Sequence, residues 1–147
     1  MPFPFRFMLV SLVLTGAVVA RAPLVAERAS TATISACRVT DGDTIRCGKE
    51  RIRLLGIDAP ELPGHCHTGR ICAPGDPYTS RASLDDAVAG IMTIIRVGTD
   101  RYGRTLAMVS GPRGDLSCWQ LQHRQAIYKP RWDNGGRVAS LCPRAVT

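Results

Sequence analysis

Cys37-Arg-Val-Thr-Asp-Gly-Asp-Thr-Ile-Arg-Cys47 sets an Asp-Gly pair between two arms that carry Val, Thr and Ile. Asp-Gly favours the backbone torsions of a tight turn, so the arms are expected to form a β-hairpin over residues 34–40 and 44–47. Cys37 and Cys47 stand five residues on either side of Gly42. Such a hairpin makes them cross-strand neighbours within disulfide reach.

Gly48-Lys49 turns the chain into a third predicted strand, residues 50–57, which Pro60 stops. The period of two puts Ile52 and Leu54 on one face and Arg51 and Arg53 on the other, which predicts a core face and a basic surface. Residues 62–75, rich in Pro, Gly, His and Cys, are expected to form a loop. Asp76-Pro77 has the form of a helix start, Leu84, Ala87 and Val88 share a helical face, and Gly90 marks the end. Two further strands are expected over residues 91–97 and 104–109, joined by the turn 98–103. Asp115 is expected to cap a short helix that runs through Gln122, and residues 138–141 to add one helical turn to an irregular tail. The predicted class is α+β, mainly β, with five strands and two to three short helices in a single domain spanning residues 23–147.

Composition supports a folded module. The chain has 147 residues, 45% hydrophobic and 21% charged, which excludes a disordered tail or a collagen-like fibre. The apolar stretch from Phe7 to Ala20 follows Arg6 and ends in the small residues Ala20 and Ala22, so residues 1–22 are expected to be a signal peptide. The stretch is shorter than the roughly 18–20 residues of a membrane-spanning helix. The competing reading is a retained N-terminal membrane anchor. Removing Arg6 and Arg21 with the leader lowers 19 basic residues to 17 against 12 acidic ones, a net charge of +5 that suits phosphate-bearing partners. All three Phe leave with it, so the core must be mainly aliphatic.

The six cysteines, at positions 37, 47, 66, 72, 118 and 142, lie beyond this leader, and an even number in an exported chain points to disulfides. Cys66 and Cys72 bracket a short loop, which leaves Cys118 to pin the tail through Cys142. The alternative for His65, Cys66, His67 and Cys72 is a zinc site, although they show no paired C-x-x-C spacing.

The chemistry concentrates in Asp41-Gly-Asp-Thr44, in Arg53-Leu-Leu-Gly-Ile-Asp-Ala-Pro-Glu61 and in Asp100-Arg-Tyr-Gly-Arg104. Asp43 and Asp58, at the ends of adjacent predicted strands, are expected to converge on one hard cation with oxygen ligands. Glu61 lies three residues beyond Asp58 across a proline. Arg53 and Arg104 supply planar forks for a phosphate group. A cation, a carboxylate base and two arginines are the components for attack of water on a phosphodiester. Taken singly, each motif is an ordinary turn or strand residue; their joint occurrence carries the expectation.

These motifs resemble those of the staphylococcal nuclease family over about residues 37–130, through Asp41-Gly-Asp-Thr44, Arg53-Leu-Leu with Asp58-Ala-Pro-Glu61, and Thr99-Asp-Arg-Tyr-Gly-Arg104. The resemblance implies a five-stranded OB-fold barrel and a secreted or periplasmic, monomeric nuclease that hydrolyses DNA or RNA with Ca2+ and keeps no stable membrane association after leader removal. By the same resemblance, Asp43, Asp58 and the backbone carbonyl of Ala59 match metal ligands, and Glu61 matches the residue that activates or orients water. Arg53 and Arg104 match phosphate clamps, while Arg101, Tyr102 and Tyr128 match substrate contacts. The chain departs from the family pattern at Ala126, where a second tyrosine is usual, at Ala59, where relatives often carry Thr, and in a shorter tail. Two rival readings remain at this level: an OB-fold module that binds single-stranded nucleic acid without cutting it, and a disulfide-rich structural or inhibitory module.

Overall fold

The computed structural model describes Met1 and residues 30–146. The predicted leader, residues 1–22, therefore lies outside the described residues apart from Met1. Among the described residues, nine strands and three α-helices follow in the order β1 (Thr31–Ile34), β2 (Cys37–Asp41), β3 (Thr44–Cys47), β4 (Glu50–Leu54), β5 (Ile57–Asp58), α1 (Pro77–Ala87), β6 (Met92–Thr99), β7 (Thr105–Gly111), β8 (Gly114–Asp115), α2 (Leu116–Gln122), β9 (Ile127–Tyr128) and α3 (Arg137–Leu141). The α+β, mainly sheet class is as expected.

The five-stranded barrel is not what forms. The main sheet is an open path, β1-β6-β7-β4-β3-β2, with β8 added beside β7, and β5 and β9 make a separate pair. The path ends on β1 and β2, which no ladder joins; they meet through Ser35 and Ala36, and Ala36 adopts a left-handed backbone with φ 52°. The extra strands have local causes. Gly56, at φ 72°, interrupts the predicted third strand after Leu54, so Ile57 and Asp58 leave the sheet and pair with Tyr128 and Ile127 instead. Neighbouring strands of the sheet run antiparallel except for the parallel pair β4 and β7.

The core is aliphatic. Ile45, Ile52, Leu54, Leu55, Ile57, Met92, Ile94 and Val109 pack from the strand segments against Leu84 and Ala87 of α1, Leu116 of α2 and Val138 of α3. Asp76 caps α1 as expected, its carboxylate accepting from the Thr79 N–H at 2.8 Å, and Asp115 caps α2 through the Cys118 N–H at 3.0 Å. The helix ends at Ala87, three residues before Gly90. All three expected disulfides form: Cys37–Cys47, Cys66–Cys72 and Cys118–Cys142. The first joins residues in direct register across β2 and β3.

Gly42 holds the Asp-Gly-Asp turn against the rest of the fold. Its carbonyl accepts from the buried Gln120 side chain at 2.7 Å, and Gln120 also donates to the Ser80 carbonyl of α1 at 2.9 Å. A Cβ at Gly42 would collide with the Ser80 hydroxyl and stand 2.7 Å from the Ala59 Cβ. Gly42→Ala is therefore expected to destabilise the protein by roughly 1–3 kcal/mol through overpacking, read from urea denaturation midpoints. Ser80→Ala in the same chain should recover part of the loss, since the Ala59 collision persists. Among the bridges, Cys118–Cys142 closes the longest loop, with a sequence separation of 24. Replacing both cysteines by Ala should cost roughly 3 kcal/mol, more than either other pair, in the same measurement.

Candidate active site

The centre of the site is a buried ion cluster. Arg53, on β4, is 8% exposed and does not belong to the basic surface that strand alternation predicts. Its guanidinium turns inward because two buried carboxylates face it: Nη1 donates to Asp43 Oδ1 at 2.7 Å and Nη2 to Asp58 Oδ1 at 3.2 Å. Asp43 sits where the chain turns from β2 into β3, after a β-bulge between Val39 and Asp41, and Asp58 ends β5. The Ala59 N–H donates to Asp43 Oδ2 at 3.0 Å, and the Thr44 hydroxyl to Oδ1 at 2.9 Å. Ala59 thus touches the cluster through its N–H, where the resemblance implies a role for its carbonyl.

Burial pushes the Asp43 carboxyl up to about 6, against the opposing pull of Arg53 and with a smaller contribution from Asp41 nearby. Asp58 is fully buried, and its Oδ2 accepts no hydrogen bond. The Lys129 ammonium lies 3.9 Å from that oxygen.

One residue in this cluster escapes the sequence reading. Arg70, from the loop closed by Cys66–Cys72, donates from Nη2 to Asp58 Oδ1 at 2.5 Å and from Nη1 to Glu61 Oε1 at 2.8 Å. Burial disfavours its charge, but the bonds to Asp58 and Glu61 prevail and hold the guanidinium above its ordinary value. Glu61 is therefore joined to the cluster through Arg70. The place of Arg70 inside a cysteine-bracketed loop is the one sequence signal that could have found it, and its direction becomes visible only once the loop folds back.

Arg53 and Arg70 also line a cleft of about 890 Å³ together with Arg101, Tyr102, Arg104 and Trp132. Arg104 is held in place by Asp100, which accepts its Nε at 2.7 Å and its backbone N–H at 2.9 Å. Arg101 donates to the Tyr102 hydroxyl at 2.6 Å and lies 4.8 Å from the ring centroid. Trp132 presents its ring to Arg53 at 5.2 Å, to Arg70 at 5.8 Å and to Lys129 at 5.6 Å. It was absent from the expected site, and so was Arg131, another residue of the cleft wall. Tyr128 is the expected substrate contact that does not line the cleft. Its hydroxyl donates to Asp133 Oδ2 at 2.7 Å, and that bond holds the phenol pKa above its ordinary value.

The donors present are oxygen ligands that suit a hard cation. Two carboxylates converge on one guanidinium, and the orphaned Asp58 Oδ2 is an anionic oxygen left without a donor. Among the described residues no group of three or more His, Cys, Asp or Glu stands ready to hold an ion. The remainder of calcium's roughly 6–8 ligands would have to be carbonyls, water or substrate oxygens. Cys66 and Cys72 are bonded to one another, which removes both thiolates from the zinc alternative.

The raised Asp43 value fixes a sign. The folded carboxyl binds its proton more tightly than the unfolded one, whose ordinary value is 3.8, so its stabilising contribution is present below about pH 4 and lost as pH rises through about 6. With a chelator present, the stability of the protein minus that of Asp43→Asn is expected to fall by on the order of 2–3 kcal/mol from pH 4 to pH 7. A difference that rises over this range means that Arg53 outweighs burial. Comparison with known proteins completes the description. No family model matches the chain. It is 31% identical over 114 residues to the succinoglycan biosynthesis protein ExoI of Rhizobium meliloti (strain 1021), covering 73% of this chain and 57% of that protein, so the chain spans little more than half of the relative's length.

Proposed function

We propose that this protein is an exported, calcium-dependent nuclease that hydrolyses phosphodiester bonds of DNA or RNA, preferably single-stranded. The observation that carries the reading is the buried Asp43–Arg53–Asp58 cluster, whose Arg53 lines the same cleft as Arg104. Asp43 and Asp58 would hold the calcium ion, which supplies positive charge to the phosphate undergoing attack. Glu61 takes the proton of the attacking water or orients it. The forks of Arg53 and Arg104 hold the phosphate oxygens and stabilise their growing charge; a guanidinium does not give up a proton at neutral pH, so neither acts as an acid. The exposed face of Tyr102 and the cations along the cleft suit a strand of alternating phosphates and flat bases. The three disulfides fit an oxidising compartment, in line with export. The name of the relative concerns succinoglycan biosynthesis and favours no substrate for this chain.

A second reading, binding without cutting, draws on one observation: Asp43, Asp58 and Glu61 are already ion-paired with Arg53 and Arg70. Catalysis separates the two. The purified protein should degrade denatured DNA with calcium and stop on chelation, and Glu61→Gln should slow cleavage by roughly 100-fold or more while binding persists on a retardation gel. Retardation of single-stranded DNA with no calcium-dependent cutting would establish the binding module instead.

A further inference from the structure

The Cys66–Cys72 loop presents exposed residues from Pro63 to Ile71 with one exception, Arg70, which folds back into the ion cluster. Gly69, at φ 81°, provides the left-handed turn that re-aims the chain just before it, and the Arg70 N–H closes a turn onto the His67 carbonyl at 3.1 Å. The disulfide spans six residues, so the loop is too short to let Arg70 wander. Its two Nη groups occupy oxygens of Asp58 and Glu61, the two carboxylates that the proposed reaction needs for the metal and for water.

We propose that Arg70 is a tethered internal cation which must release Asp58 and Glu61 before a divalent ion is held, so that the disulfide-closed loop sets the metal affinity of the site. The inference rests on the nuclease reading for the identity of the ion. Asp58 has one oxygen engaged by Arg53 and Arg70 and the other buried without a donor. A calcium ion approaching that oxygen, which has the Lys129 ammonium 3.9 Å away, also meets the repulsion of a guanidinium fixed within hydrogen-bond distance on the opposite oxygen of the same carboxylate. At such a separation, in a partly buried site, one unit of charge changes cation binding by a large factor. Taking the charge away strengthens binding, and so does loosening the tether. A merely structural arginine has the opposite signature, because its loss disorders the carboxylates and weakens the ion's hold. Paired with the carboxylates, Arg70 already lines the cleft together with Arg53.

Isothermal titration of calcium chloride into the full-length protein at neutral pH tests this. Arg70→Gln is expected to bind calcium roughly tenfold or more tightly than wild type. The double replacement Cys66→Ser with Cys72→Ser, which keeps Arg70 but frees the loop, should shift affinity in the same direction by a smaller factor, and it decides the matter if circular dichroism shows that Arg70→Gln is unfolded. Equal or weaker calcium binding in the variants, beside a wild type that binds calcium and cuts DNA, overturns the role of Arg70 and leaves the nuclease standing. Tighter binding in the variants of a protein that never cuts DNA upholds the tethered cation and removes the nuclease. No calcium binding by any of the three proteins overturns both.

Discussion

A guanidinium buried between two buried carboxylates organises this molecule. Arg53 of β4 reaches Asp43 at the β2–β3 turn and Asp58 at the end of β5, so three segments that share no single ladder are tied at one point. Charges removed from water tolerate this only while they stay paired, and deleting one member of such a cluster typically costs about 3–5 kcal/mol. The surrounding backbone is arranged to keep the pairing intact. The Ala59 N–H and the Thr44 hydroxyl also donate to Asp43, and the Asp43 carbonyl accepts from the Leu54 N–H at 2.8 Å. Gly42 lets α1 and Ala59 close over the turn because it has no Cβ to obstruct them.

Charge in the site is layered. Carboxylates form the floor, Arg53 and Arg70 cover it, and the cleft above meets mainly cations and aromatic faces. The cleft lining carries Arg53, Arg70, Arg101, Arg104 and Arg131 against the single carboxylate of Asp100, an excess of positive charge that favours the approach of an anionic chain. The acidic residues away from the floor act as braces. Asp100 fixes Arg104, and Glu50 takes both Arg96 of β6, at 2.8 and 2.7 Å, and the Thr105 hydroxyl of β7, at 2.9 Å. The hydrogen bonds from Arg96 hold the Glu50 carboxyl below its ordinary value, so this clamp across the sheet is charged at neutral pH. Asp133 plays a similar part in the tail, where its buried carboxylate gathers the Tyr128 hydroxyl and the first N–H groups of α3.

The features legible in the sequence were those decided within a few residues. The Asp-Gly turn, the Asp76 and Asp115 caps, and the register that sets Cys37 opposite Cys47 depend on short-range torsions and on side chains that bond to their own neighbourhood. The grouping of Asp43, Asp58, Glu61 and Arg53 was legible as well, since the motifs keep them close in the chain. Strand alternation failed at Arg53 because it assigns alternate residues to opposite faces but carries no information about what covers the second face. There the β2–β3 turn and β5 supply carboxylates, and the arginine becomes an interior residue.

Residue order by itself determined an α+β chain with an aliphatic core, a basic bias, three disulfides from six cysteines, and two acidic motifs beside an arginine. Tertiary structure decided how the sheet ends, where each arginine points, and which of them shares the carboxylates. The sheet stays open because Ser35 and Ala36 separate its edge strands and Gly56 diverts β5 to β9. Arg70 reaches Asp58, twelve residues earlier in the chain, because a disulfide closes its loop, and Tyr128 donates to Asp133 rather than lining the cleft. Both outcomes are contests for partners, and burial settles such contests by penalising any charge or hydroxyl left without one.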